Sequence, residues 1–142
     1  MSCAPRLVRK PVRNFFKSDD FSLMGKCYLN SSLSAGCFSF ALSEKAGKTE
    51  FVPGNGFGEG LIPFRLDEIS VAVISWLQGR GPDFLKNVTE KEDEALFFFS
   101  RNKYALKKMT VRTFDGRLAG ISLFFKKGFA EIEIMDIVYA ED

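Results

Sequence analysis

Apolar and polar residues alternate with a period of two along the first regular part of the chain, which predicts β-strands. Residues 21–30 (FSLMGKCYLN) place Leu23, Cys27 and Leu29 on one side of a strand and polar side chains on the other. Residues 37–44 (CFSFALSE) alternate in the same way, and the turn between the two segments predicts a hairpin. Further strands are predicted at residues 49–52, 60–66, 95–101, 108–114, 119–127 and 130–139.

One segment has helical periodicity, and it predicts a helix from Asp67 to about Gln78. Asp67 is placed to cap the first turn, and Gly79 and Gly81 end the helix. Apolar residues occupy nearly its whole circumference, which indicates burial on more than one side. With no second helix to meet it, this helix predicts a homodimer or larger homo-oligomer. The expected interface residues are Val73, Ile74, Trp76 and Leu77.

The order of these elements predicts an α+β fold. We expect two antiparallel four-stranded sheets, with the one main helix between or against them. A single domain spans residues 21–142, with a half of four strands and a helix (21–81) and a half of four strands (95–142). Residues 82–94 are predicted to be a polar connection, and residues 1–20 a basic N-terminal arm.

Charge is distributed unevenly along the 142 residues, although the net charge is only +2. Residues 101–127 carry eight Lys or Arg side chains and one Asp, whereas the last twelve residues carry five acidic side chains and no basic one. The N-terminal arm is also Arg-rich, and an organelle-targeting segment is its alternative interpretation. The chain therefore looks neutral only on average.

The residue types argue against an enzyme. The chain has no His, and its three cysteines, Cys3, Cys27 and Cys37, lack metal-ligand spacing. The Gly-rich loop at 54–60 precedes a predicted strand and not a helix, so it is interpreted as a turn. We expect no catalytic residue, metal or cofactor. The predicted location is intracellular (cytoplasmic or nucleoid-associated, with mitochondrial as the alternative), and no membrane partner is expected.

A strand that runs directly into a helix carries a resemblance to known families. Cys27-Tyr28-Leu29-Asn30 and GLIPFRLDEISVAVISWLQ (60–78) resemble the four-strands-plus-helix unit of a superfamily that binds single-stranded nucleic acid. Its members are PUR repeats, plant Whirly proteins, mitochondrial guide-RNA-binding proteins and transcriptional positive cofactor four. The resemblance covers roughly residues 23–79 and, by strand count, 95–139. It implies a helix that covers one sheet face and leaves the other open.

The expected open face carries basic and aromatic side chains next to each other. Cations neutralise phosphates, and rings stack on unpaired bases at about 1–3 kcal/mol per base. We therefore expect a non-catalytic protein that binds single-stranded DNA or RNA. The candidate binding residues are Lys26, Tyr28, Lys108, Thr110, Arg112, Phe114, Phe124 and Lys126.

Structural alternatives exist for these residues. Arg112 and Lys126 can pair with Glu131 and Glu133 across strands and then need no ligand. Phe124 can belong to the core if its strand is buried on both sides. The alternative function is a structural or adaptor protein that contacts another protein through exposed aromatic side chains.

Overall fold

Eight β-strands and one α-helix are present in the computed structural model, which describes residues 12–32, 35–54 and 65–140. In chain order they are β1 (Phe21–Ser31), β2 (Ala35–Lys45), β3 (Lys48–Pro53), α1 (Leu66–Leu77), β4 (Leu85–Glu90), β5 (Glu94–Phe99), β6 (Leu106–Phe114), β7 (Arg117–Phe125) and β8 (Gly128–Tyr139). All eight strands belong to one antiparallel sheet with the order β3-β2-β1-β8-β7-β6-β5-β4. The expected α+β fold with two four-stranded sheets is therefore wrong, and the protein is mainly β.

The pairing of β1 with β8 joins the two halves into one sheet. Their register is antiparallel and places Lys26 opposite Glu133 and Tyr28 opposite Glu131, with an irregularity at Met24 and Gly25. The unpaired edge of a strand presents a row of free N–H and C=O groups. Pairing β1 with β8 satisfies the free backbone groups on the edges of both strands. Two separate sheets would leave both edges unpaired.

Two further differences from the sequence prediction concern local structure. The predicted polar connection at 82–94 contains β4, an edge strand in which only Leu85 is fully buried. The helix begins at Leu66 and its N-cap is Arg65, in the left-handed region with φ 50°, so the prediction of Asp67 as the cap is wrong. Asp67 lies instead in the first turn, where its charge still favours the positive end of the helix dipole. The strand predicted at 60–66 falls mostly outside the described residues.

The core lies on one face of the sheet, where inward-facing strand residues meet the helix and the segment before β1. Leu23, Phe38, Phe97 and Ile121 contribute fully buried side chains from four different strands. The segment before β1 packs against this core: the backbone N–H of Phe15 donates to the Leu77 carbonyl over 2.8 Å, and the Phe16 ring stacks on Phe21 at 4.3 Å. The described part of the basic arm is therefore held against the domain.

The apolar circumference of α1 is covered by the chain itself. The four residues expected at a homo-oligomer interface, Val73, Ile74, Trp76 and Leu77, are all buried in this core. Trp76 packs its ring against those of Phe84 and Phe99, with centroids 5.5 and 5.6 Å away. This corrects the expectation that the helix needs a second copy to cover it. Association of the chain stays a prediction, and these four side chains do not supply its surface.

Candidate nucleic-acid interface

The sheet face opposite the helix, called the open face below, carries the side chains that alternate with the core residues. Along β1, every second residue from Ser22 to Asn30 is exposed. The antiparallel register aligns these side chains with those of neighbouring strands in rows. One row contains Asn30, Phe129, Phe124, Lys108 and Phe98, and the next contains Tyr28, Glu131, Ser122 and Thr110. A third contains Lys26, Glu133, Gly120 and Arg112.

Aromatic and cationic side chains meet where β5 to β8 approach one end of the sheet. The ammonium nitrogen of Lys108 lies 4.6 Å from the centroid of the Phe124 ring, which is within cation–π range. The Phe124 ring is tilted against Phe129 on β8, with centroids 5.1 Å apart. Phe98 stands opposite Lys108 on β5 and is 37% exposed. Three rings and one cation therefore share this corner of the open face.

Two loops at the same end add further positive charge. The backbone N–H of Lys126, in the β7–β8 turn, donates to the Ala105 carbonyl in the β5–β6 connection over 2.9 Å. The parts of β5 to β8 at this end, residues 98–108 and 122–130, contain no acidic residue. We call this region the basic end: Phe98, Lys108, Phe124 and Phe129 on the face, and the exposed Arg101, Lys107, Lys126 and Lys127 around it. Lys103 lies instead over the Tyr104 ring on the helix side of the sheet, with its ammonium 5.0 Å from the ring centroid.

Arg112 is engaged within the sheet. Its guanidinium donates to the Ser122 hydroxyl over 2.6 Å and forms an ion pair with Glu131 on β8. It can reach that far because Gly120 lies beneath it: a Cβ at Gly120 would stand 2.6 Å from Nη2 of Arg112. The cross-strand ion pair with Glu131 therefore accounts for the charge of Arg112. A guanidinium held in this position does not support a phosphate contact.

The other candidates occupy three different places. Tyr28, 40% exposed, stands opposite Glu131, and Thr110 is half-buried beside Ser122. Phe114 is exposed but lies at the far end of β6, next to the Asp115–Gly116 turn. Of the eight predicted binding residues, the structure brings Lys108, Phe124 and Lys126 together at the basic end. Lys26 and Tyr28 share the same face, but β8 lies between them and β7.

The acidic side chains of β8 divide the candidate residues of the open face into two groups, a placement that the sequence did not predict. Glu131 and Glu133 stand on the open face between β1 and β7. The alternation of AEIEIMDIVY (130–139) indicates that Glu131 and Glu133 face away from the core. Only the pairing of β1 with β8 places them between the candidate binding residues of β1 and those of β6 and β7. Phe129 and Phe98 were also missed, although their neighbours lie on consecutive strands: Phe129 stands opposite Phe124 in the β7–β8 hairpin, and Phe98 stands opposite Lys108 on β6.

A groove of about 450 Å³ lies beside the basic end on the open face. It contains two rings, one amide, one guanidinium and two carboxylates, arranged around the glycine under Arg112. Its lining residues are Tyr28, Leu29, Asn30, Arg112, Ala119, Gly120, Phe129, Glu131 and Glu133.

The two described cysteines are free thiols in different environments. Burial, and secondly the charge of the Cys37 thiolate, raises the pKa of Cys27 to about 12. Cys37 is exposed on the neighbouring strand. Since the thiolate is the reactive form, Cys27 is unreactive in the folded protein at neutral pH.

The chain matches no protein-family model and no curated protein. Within the three described segments, no helix is long and apolar enough to cross a membrane. No group of three or more His, Cys, Asp or Glu residues among those segments is arranged to hold a metal ion.

Proposed function

We propose that this protein binds single-stranded DNA or RNA, without catalysis, through the basic end of its open sheet face. The observation that carries the proposal is the stack of Lys108 over Phe124 with Phe129 beside it, surrounded by exposed Lys and Arg side chains. Rings offer stacking surfaces to unpaired bases, and the surrounding cations neutralise phosphates. A duplex keeps its bases stacked on one another and cannot use the rings.

The acidic side chains of β8 restrict the path of a bound strand. Glu133 would repel phosphates placed over the centre of the open face, where Arg112 already neutralises Glu131. The phosphates therefore follow the loops that carry Arg101, Lys126 and Lys127, and the bases turn inward toward the face. In this arrangement the phosphate contacts come mainly from the loops and the stacking contacts come from the strands.

Fluorescence anisotropy with a labelled oligothymidine tests the proposal at a series of salt concentrations. We expect submicromolar binding at low salt, with a log–log salt slope of about −0.7 for each phosphate neutralised. A duplex of equal length should bind more weakly. The absence of binding at low salt, or equal binding of the duplex, contradicts the proposal.

Contact with another protein is the second candidate function, and exposed apolar side chains at the other end of the face favour it. Met24 and Val138 are each more than half exposed on the paired strands β1 and β8, and Val52 is exposed on β3. A second copy of the chain is the proposed partner there. Light scattering at high micromolar concentration tests this: we expect a dimer that Met24→Lys disrupts, and a monomeric parent contradicts it.

A further inference from the structure

A second cavity, of about 320 Å³, lies on the helix side of the sheet at the C-terminal end of α1. The half-buried rings of Phe84 and Tyr104 line it. The buried Trp76 ring packs edge-on against both, with centroids 5.5 and 6.3 Å away. The cavity therefore presents parts of two aromatic rings to solvent on a rigid aromatic support.

Two exposed cations stand at this cavity. The Lys103 ammonium lies 5.0 Å from the Tyr104 ring centroid, which repeats the arrangement of Lys108 over Phe124 on the open face. Arg80 lines the cavity and forms no hydrogen bond or ion pair with any other described residue. Among the described lining residues Asp83 is the one acidic side chain, so cations outnumber acids there.

The β5–β6 connection, residues 100–105, forms one wall of the cavity and is held rigidly. The Asn102 amide donates to the carbonyls of Ser100 and Leu106, each over 2.8 Å, and its side-chain oxygen accepts from the Tyr104 N–H over 3.1 Å. The N–H and the hydroxyl of Ser100 both donate to the Phe84 carbonyl, over 2.8 and 3.0 Å. These bonds fix Tyr104 and Phe84 relative to each other.

The same connection joins the cavity to the basic end. Arg101 belongs to the basic end, and Lys103, two residues later, stands at the cavity. Two residues of chain span at most about 7 Å, so the two cations are near neighbours. The Ala105 carbonyl accepts from the Lys126 N–H, which ties the connection to the β7–β8 turn as well. The cavity and the basic end therefore lie on the two sides of one short rigid loop.

We infer that a single strand bound at the basic end crosses the β5–β6 connection and places a further nucleotide in this cavity, an inference that rests on the proposed function. Arg80 and Lys103 neutralise the phosphates of that part of the strand. The rings of Phe84 and Tyr104 contact the unpaired base. The cavity volume of about 320 Å³ lies at the small end of the range for ligand sites, which suits one nucleotide.

An acidic peptide also suits two cations beside a cavity. Two observations favour the nucleotide. Half-buried rings offer flat surfaces that a base uses and a carboxylate does not. The cavity also continues the surface that is proposed to bind the strand, across the loop that carries Arg101 and Lys103.

Trp76 provides a direct test, because it lines this cavity and is the one Trp in the chain. Labelled oligothymidines of roughly 4 to 16 nucleotides cover the site sizes of small single-strand-binding domains. The shortest oligomers should bind by anisotropy without changing the Trp76 fluorescence. Above a threshold length, the fluorescence should change and the affinity should rise roughly five- to a hundred-fold, as expected for one added stacking contact.

Arg80→Met should weaken the binding of the longer oligomers and reduce their log–log salt slope by ~0.7, with no effect on the shortest ones. Arg117→Met is the matched control: Arg117 is also an exposed arginine, at the other end of the sheet beside the Asp115–Gly116 turn, and its variant should bind every length like the parent.

Three results would overturn the inference: no change in Trp76 fluorescence at any length, equal effects of the two arginine variants on the longer oligomers, or a fluorescence change with an acidic peptide and none with oligothymidine. Salt-sensitive binding of the shortest oligomers would then still support the proposed function, whereas failure of every oligomer to bind removes both.

Discussion

Arg112 on β6 forms an ion pair with Glu131 on β8, two strands away, by crossing over Gly120 on β7. The pair removes one cation from the set expected to contact phosphates, and it neutralises one of the carboxylates in the centre of the open face. The proposed binding of nucleic acid then depends on Lys108 and on the loop cations of the basic end.

Removing the Arg112 charge should affect stability more than binding. Arg112→Met should lower the free energy of unfolding by ~0.2–1 kcal/mol, the range for partly exposed ion pairs. Gly120→Ala should have a similar effect, because its Cβ displaces the guanidinium. In urea denaturation, the double variant should be less destabilised than the sum of the two single variants. Additive effects, or a large decrease in oligothymidine affinity for Arg112→Met, would show that Arg112 acts elsewhere.

Gly25 permits the close approach of β1 to β8 and to the core. A Cβ at this position would stand 2.8 Å from the backbone oxygen of Glu133 and 2.8 Å from the Phe40 ring. Gly25→Ala should therefore destabilise the protein by ~1–3 kcal/mol, the usual effect of overpacking. Ser22→Ala, at an exposed position of the same strand, is the control and should change stability by less than about 0.5 kcal/mol. Thermal unfolding followed by circular dichroism compares the two, and equal melting temperatures would refute the packing argument.

Cys27 should make stability fall at high pH. Burial, with the neighbouring Cys37 charge as the smaller cause, raises its pKa from 9.0 to about 12. The unfolded chain therefore releases this proton at lower pH than the folded chain does, so the contribution to stability is complete below pH 9 and is lost as the pH rises toward 12. Cys27→Ala should show less of this decline in urea titrations at pH 8 to 11. An unchanged pH dependence would contradict the assignment to Cys27.

Lys108 and Phe124 should contribute to binding in different ways. Lys108→Met removes a charge but keeps an apolar chain over the ring, so the salt slope should shrink by ~0.7. Phe124→Leu removes the stacking surface, so affinity should fall by ~1–3 kcal/mol with nearly the same slope. Anisotropy titrations of oligothymidine measure both quantities, after circular dichroism has shown that each variant folds. If Lys108→Met and Phe124→Leu both bind like the parent, this part of the open face is not the binding surface.

Local patterns predicted the strands and their faces well. Leu23, Cys27 and Leu29 are buried and Lys26 and Tyr28 are exposed, as the alternation of β1 predicts. The Asp115–Gly116 hairpin is confirmed, with φ values of 53° and 75° that match the turn these residues favour. Period-two patterns carry this information because each strand has one buried and one exposed side.

Strand order was not predictable from the same patterns. Alternation fixes which side of β8 faces the core, but it does not determine that β8 pairs with β1. Glu131 and Glu133 were therefore predicted as cross-strand partners of Arg112 and Lys126, but not as the residues that separate these side chains from Lys26 and Tyr28. The all-round apolar helix was similarly ambiguous, because a core that covers Trp76 with Phe84 and Phe99 leaves the same sequence pattern as a dimer interface.

The central claim is that the basic end, and not positive charge in general, binds single-stranded nucleic acid. Two pairs of exposed lysines flank turns at opposite ends of the sheet: Lys126 and Lys127 in the β7–β8 turn, and Lys45 and Lys48 around the β2–β3 turn. Replacing either pair with alanine changes the net charge equally. For the first pair, oligothymidine titrations over a salt series should show weaker binding and a slope smaller by roughly 1.4 if both side chains contact phosphates. The variant that lacks Lys45 and Lys48 should bind with the affinity and salt slope of the parent. Equal losses of affinity in the two variants would contradict the claim.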